Sequence, residues 1–168
     1  MKTLLILRHA KSSWKNSNLS DHDRPLNKRG KRDGPRMGYL LRREELVPDL
    51  IISSSAVRAK KTAEAVAQYS GYGHEIKVAR SLYQADSSSY IGVLNSLAGN
   101  SDRVMVVGHN PGMEELLEEL TNAYERMATA TLAQVRLPIN EWQQLDGAVQ
   151  GELVGIWRPR EMIDPQFY

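Results

Sequence analysis

Arg8 and His9 close the apolar run Leu4-Leu5-Ile6-Leu7, and His109 closes a second run, Val104-Met105-Val106-Val107-Gly108. An imidazole can serve as nucleophile or base, and a guanidinium beside it can grip an oxyanion with two parallel N–H groups. A third run, Leu50-Ile51-Ile52, leads through Ser53-Ser54-Ser55 to Arg58. Alone, Arg8 suits a strand-end ion pair, Arg58 a solvated helix face and His109 a turn. Together, two guanidiniums and two imidazoles make a receptor for a tetrahedral dianion of the phosphate or sulfate type. Ser12 and Ser13, soon after His9, could add hydroxyl donors or simply be solvated. A metal centre is a poor alternative. The chain has no HxxxH or HExxH spacing, and the arginines would repel a cation. No metal or other cofactor is expected.

The elements that must position these groups follow from the same runs. Unbroken apolar stretches bounded by polar residues suit strands buried on both faces of a parallel sheet, and ligand sites of open α/β sheets lie past the carboxyl ends of such strands. Strands are expected from the N-terminus to Arg8, and near 49–53, 75–78, 103–107, 131–137 and 152–157. A helix capped by Asn27 should run to about Glu45, although Gly30, Gly34, Pro35 and Gly38 weaken its first half. A second should span Ala56 to about Tyr69 and stop at Gly71 and Gly73. A third, capped by Ser87, Ser88 or Ser89, carries Ile91, Leu94 and Leu97. A fourth opens at Gly112 and carries Leu116, Leu117 and Leu120. This order predicts an α/β fold: a three-layer α/β/α sandwich whose mostly parallel central sheet has an antiparallel edge. Arg58 would then lie in a first helical turn, whose free N–H groups favour an anion.

The 168 residues suit one domain spanning 1–168, with 159–168 a loose surface tail. The chain has no cysteine, so no disulfide framework or thiolate site exists. No signal peptide is evident, and no apolar run approaches the ~18 residues of a membrane span. A cytoplasmic monomer is the expectation. Net charge is +2 but unevenly spread. Lys28, Arg29, Lys31, Arg32, Arg36, Arg42 and Arg43 crowd one segment, and Glu114, Glu115, Glu118 and Glu119 another. Solvated helix faces explain most of both; a basic rim that attracts acidic or phosphorylated partners is the sharper alternative. The basic segment lacks interleaved aromatics, which argues against nucleic acid.

Arg8-His9-Ala10 resembles the Arg-His-Gly signature of the histidine phosphatase (phosphoglycerate mutase-like) superfamily. Ser53 through Ala63 resembles its second motif, and Val107-Gly108-His109-Asn110 its third. The finer pattern Leu7-Arg8-His9-Ala10-Lys11-Ser12, then Asp23-Arg24-Pro25-Leu26 and Arg29-Gly30, is similar to the superfamily's short phosphohistidine phosphatases. The likeness spans about Met1 to Pro159. It implies a metal-independent, two-step phosphoryl transfer in which His9 is the nucleophile. Arg8, Arg58 and His109 would bind the phosphoryl oxygens, and water would release phosphate from phospho-His9. It further implies a role in signal transduction, on a phosphohistidine-bearing protein such as a phosphotransfer protein of a signalling relay.

One departure bears on the substrate. Superfamily mutases and phosphomonoesterases usually supply a glutamate to protonate a leaving alkoxide. Here Gln84 stands near the comparable place, with Asp86 and Asp23 as the remaining possible proton donors. The imidazole of phosphohistidine leaves without such an acid, because its own ring can carry the proton. The chain also has no room for a large cap, and an open site suits a phosphohistidine displayed on a protein. A small-molecule phosphomonoesterase and a non-catalytic phosphoprotein-binding module are the alternatives. Asp23 is expected to order its loop with Arg24 or Lys28, Asp86 to sit in a loop or helix cap, and His22 and His74 to lie on surface loops.

Overall fold

The computed structural model describes residues 1–162. In chain order it forms β1 (Lys2–Arg8), α1 (Lys28–Arg43), β2 (Leu50–Ser54), α2 (Val57–Ser70), β3 (Ile76–Ala79), α3 (Ser87–Leu97), β4 (Arg103–Gly108), α4 (Gly112–Thr121), β5 (Leu132–Leu137) and β6 (Glu152–Trp157). The strands make one sheet ordered β3-β2-β4-β1-β5-β6. Its first four members are mutually parallel, and β5 is antiparallel to both β1 and β6. The antiparallel strand thus lies one place in from the edge, and β6 runs with β1 again.

Leu4, Leu5, Ile6 and Leu7 are wholly buried because each face of β1 is covered by helices. Leu4 and Ile6 pack with Leu94 of α3 and Leu116 and Leu120 of α4. Leu5 and Leu7 pack with Met37 and Leu41 of α1 and Ala63 and Val66 of α2. This two-sided burial is the three-layer sandwich expected from the unbroken apolar runs. Burial of each such side chain contributes roughly 2 kcal/mol. The β1–β4 register pairs Arg8 with Gly108, so the chain emerges from the sheet with His9 beside His109.

Helix α1 is continuous through the glycines and Pro35 that weaken it on paper. Asn27 caps it by accepting from the Gly30 amide at 2.9 Å. A Cβ on Gly30 would lie 2.1 Å from the Lys11 carbonyl oxygen, and one on Gly38 would lie 2.9 Å from that of Val66. The glycines therefore let α1 seat against the segment after His9 and against α2. The start of α3 bears out the cap expected of Asp86 and not the one expected of the serines after it. Asp86, not one of the three serines, is its N-cap and accepts from the Ser89 amide at 3.1 Å. Gly71 ends α2 in the left-handed conformation, φ 81°.

The tail beginning at Pro159 is less loose than expected where it is described. A 3-10 turn at Pro159–Glu161 buries the proline, and Met162 packs against the α1–α2 side of the core. Residues 163–168 lie outside the described residues. Among the described residues no helix is long and apolar enough to cross a membrane.

Candidate active site

His9 leaves the sheet with its amide donating to the Gly108 carbonyl at 3.0 Å, one further step of the β1–β4 pairing. Its Nδ1 lies 2.7 Å from the Ala10 carbonyl oxygen. A carbonyl only accepts, so the ring proton sits on Nδ1 and Nε2 keeps its lone pair. The Ala10 amide donates to Thr62 Oγ1 at 2.9 Å, and that hydroxyl donates to the Arg58 carbonyl at 2.7 Å. The nucleophile-bearing turn is thereby clamped to α2. Ala10 is itself buried among the apolar side chains of the α1–α2 face, which its methyl helps fill. Burial, reinforced by His109, Arg58 and Arg8, pushes the His9 imidazolium down from 6.5 to about 3. The ring is neutral near pH 7, and burial outweighs the arginines as the cause.

His109 is set by two hydroxyls. Its amide donates to the Tyr90 hydroxyl at 3.1 Å, and its Nε2 lies 2.8 Å from Ser54 Oγ. Ser54 Oγ also accepts from the Ala56 amide at 3.3 Å. When its own hydrogen goes to Nε2, the His109 proton sits on Nδ1, which is buried and has no partner among the described residues. The two imidazole centroids are 5.1 Å apart. Burial and then Arg58 lower the His109 pKa to about 4. Gly108 earns its place here, since a Cβ would meet the Tyr90 hydroxyl at 2.1 Å.

The guanidiniums complete the cluster. Arg8 Nη1 donates to the Met127 carbonyl at 3.1 Å. Arg58 Nη1 donates to the Asp21 carbonyl at 2.7 Å, and Nη2 to Asp21 Oδ2 at 3.0 Å. Arg8 Nε and Arg58 Nε are buried N–H groups without partners among the described residues. Buried donors are nearly always satisfied, so three orphans around one imidazole suit an oxyanion.

The loop before α1 contributes residues that sequence reasoning missed. Asp21 also accepts from the Tyr83 hydroxyl at 2.6 Å and from Arg24 Nε at 3.1 Å. Hydrogen bonds from Tyr83, Arg58 and Arg24 hold its carboxyl at about 2. Arg24 is shielded by the exposed Trp14 ring, whose centroid lies 3.4 Å from the guanidinium carbon. Tyr83 meets His109 edge-on at 5.6 Å and His22 at 4.8 Å. The spacing of Asp21 to Arg24 was the only local signal for this network.

The remaining expected residues are placed less centrally. Ser12 is buried and accepts from Arg24 Nη1 at 2.8 Å, and Ser13 accepts from the Lys15 amide at 3.1 Å. Asp23 is exposed and pairs with His22 at 3.2 Å, rather than with Arg24 or Lys28. His22 is no plain loop residue, since its Nε2 lies 2.9 Å from Ser55 Oγ at the start of the α2 turn. His74 is exposed as expected. Hydrogen bonds lower the carboxyls of Asp23, through His22, and of Asp86, through Ser88 and the Ser89 amide. Gln84 is exposed, with φ 56°. Among the described residues no three His, Asp or Glu side chains gather as a metal site would need.

Fold and site together define an α/β protein that clusters two neutral imidazoles, at the ends of β1 and β4, with the guanidiniums of Arg8 and Arg58. The chain belongs to the histidine phosphatase superfamily, branch 1, whose family model matches residues 4–90. That segment includes Arg8, His9 and Arg58, while His109 lies beyond it. An uncharacterised chloroplast protein of Arabidopsis thaliana is 32% identical over 174 residues, covering 96% of this chain and 80% of the relative. A structure from Agrobacterium tumefaciens, provisionally assigned as the phosphohistidine phosphatase SixA, superposes with TM-score 0.80 at 27% identity, covering 94% of this chain and 98% of that one. The protein histidine phosphatase SixA complexed with tungstate superposes with TM-score 0.79 at 22% identity, covering 94% and 97%.

Proposed function

We propose that this protein is a phosphohistidine phosphatase acting on a protein partner through a covalent phospho-His9 intermediate. The observation that carries the reading is the bond from His9 Nδ1 to the Ala10 carbonyl, which leaves Nε2 unprotonated and free to attack. Nε2 forms a bond to phosphorus as the substrate N–P bond breaks. The bonding pair returns to the leaving imidazole, whose other nitrogen already carries the proton, so it departs neutral. Water then attacks phosphorus as the His9–P bond breaks and its pair returns to Nε2; phosphate leaves with both protons of that water and gives one up to solvent. Arg8, Arg58 and the Nδ1–H of His109 hold the three non-bridging oxygens and stabilise their charge in both transition states.

The preference for N–P over O–P bonds rests on the missing acid. Asp23 and Asp86 are tied to other groups and lowered below the usual carboxylate range, which makes them poor proton donors. The tungstate held by the SixA neighbour is a tetrahedral oxyanion, the shape this cluster would take. We read the chain as a single-domain, cytoplasmic monomer working without metal.

The test is metal-free phosphate release from a phosphohistidine protein, beside 3-phosphoglycerate and a phosphoserine peptide, with His9→Ala in parallel. Release from phosphohistidine alone, abolished in the variant, is expected. Faster turnover of the esters would favour the phosphomonoesterase reading. Binding without turnover of any of them would favour the binding module.

A further inference from the structure

We propose that a trench running away from Arg8 docks an acidic stretch of the phosphorylated partner; this rests on the phosphohistidine reading above. The trench encloses about 560 Å³ and begins at Arg8 and Asn110. It continues between the first turns of α1, the segment 126–129 and the turn at 158–161. Lys11, Arg29, Arg126 and Arg160 line it, and its anions are Asp33, Glu114 and Glu161.

The balance of free charge decides its character. Asp33 pairs with Arg36 at 3.3 Å, and Glu161 lies 3.8 Å from Arg158. Glu114 accepts from the Met127 amide at 3.4 Å. Among the described residues Arg29 meets only the neutral Thr129 hydroxyl, at 3.3 Å. The side chains of Lys11, Arg126 and Arg160 have no ion pair or hydrogen bond among the described residues. Among the described residues Asp33 and Glu161 thus face arginines, while Glu114 keeps its charge and acts on Arg8. Lys11, Arg29, Arg126 and Arg160 outnumber it and have no ion pair there, so the trench is basic.

The adjoining surface gives the trench a direction. A second groove over α4 is lined by Glu114, Glu115, Glu118 and Glu125 and meets the trench at Glu114 and Arg126. An acidic segment next to a phosphohistidine seated at His9 is repelled from the α4 side and drawn toward α1. Among the described residues no aromatic side chain lines the trench to stack on nucleic-acid bases. The crowded basic segment of the sequence thereby contributes Arg29 to a specific docking surface, with Lys28 and Lys31 lying outside it.

Two phosphohistidine peptides test this, identical except that the residues flanking the histidine are Glu in one and Gln in the other. At low salt the wild type should turn over the acidic peptide with about tenfold higher kcat/KM, through KM. Arg126→Glu/Arg160→Glu should abolish that preference, whereas Lys28→Glu/Lys31→Glu, equal in charge but outside the trench, should keep it. Hydrolysis of phosphoramidate should be the same in all three proteins. Equal use of the two peptides by the wild type would overturn the proposal. So would an equal loss in both double variants, or competition by a single-stranded oligonucleotide as effective as that of the acidic peptide. Binding of both peptides to the His9→Ala protein, read by fluorescence anisotropy, separates the two readings. If neither peptide nor phosphoramidate is hydrolysed, the phosphohistidine reading fails, while the binding ratio still decides the trench.

Discussion

Asp21 holds Arg58 at two points, taking Nη1 on its carbonyl at 2.7 Å and Nη2 on its carboxylate at 3.0 Å. The carboxylate is lowered to about 2, so what it contributes to stability is present above the ordinary value of 3.8 and lost as pH falls toward 2. Asp21→Asn keeps the carbonyl contact but weakens the second bond and those to Arg24 and Tyr83. The guanidinium then wanders from where charge develops, and kcat for phosphohistidine should fall roughly tenfold with a smaller change in KM. Steady-state kinetics at neutral pH checks this. An unchanged kcat would show that Arg58 is positioned without the carboxylate.

Ser54 acts on His109 in the same indirect way. Its hydroxyl at 2.8 Å from Nε2 sets the tautomer that presents Nδ1–H. In Ser54→Ala the neutral ring can place its proton on either nitrogen, and kcat should drop about tenfold, less than the loss expected for removing an oxyanion donor outright. Nitrogen-15 NMR of the ring provides a readout that a merely structural defect would not move. The wild type should show His109 protonated at Nδ1 and the variant a mixture. A wild-type proton on Nε2 would contradict the assignment.

How much of this was legible in the sequence depended on how local each signal is. Arg8, His9 and His109 were visible because an apolar run that ends abruptly marks a strand terminus, and Arg58 because it opens a helix after another such run. Parallel pairing then had to bring the termini together. Asp21 was not visible, because the loop before α1 has no periodicity and its path is set by long-range contacts to Arg58 and Tyr83. The pairing of Asp23 was misjudged for the same reason. The cap of α3 was left divided between Asp86 and the three serines that follow it, since Asp and Ser cap about equally well. The glycines of α1 were read as weakness because the backbones they accommodate belong to Lys11 and α2, distant in sequence.

Both imidazoles should resist protonation. His9 is lowered to about 3 and His109 to about 4, against 6.5 in an unfolded chain. Between those values the folded protein binds fewer protons than the unfolded one. Their contribution to stability is therefore complete above pH 6.5 and is lost as pH falls toward 3–4. Ring NMR signals, assigned through the single His9→Gln and His109→Gln variants, should show both neutral down to about pH 5. Protonation of either at pH 6 would mean that the site is wetter than its burial implies.

Gly30→Ala sets helix propensity against packing. The substitution should favour α1 by roughly 1 kcal/mol. Its Cβ, however, would lie 2.1 Å from the Lys11 carbonyl oxygen and 3.0 Å from the Lys11 nitrogen, backbone atoms that cannot swing aside as a side chain would. Overpacking costs roughly 1–3 kcal/mol and more against rigid backbone, so the clash wins by about 1–2 kcal/mol. Denaturant unfolding should show this net loss, and turnover should fall with it because Lys11 lies just past His9. A stabilised variant would mean that α1 can tilt away at no cost.

Asp23 and Asp86 decide whether the reaction uses an acid at all. Removing a working general acid would cost roughly a hundredfold or more in rate. Asp86→Asn is a clean substitution, because asparagine also caps helices and the bond from the Ser89 amide can survive. Asp23→Asn removes only an exposed contact to His22. With phosphohistidine as substrate, both variants and the double should retain turnover within about twofold, since the leaving imidazole carries its own proton. A hundredfold loss in either would identify the acid and make an alkoxide the better leaving group for this site. The same variants assayed on a phosphate ester would then lose activity in parallel, and the preference for the N–P bond would fall with it.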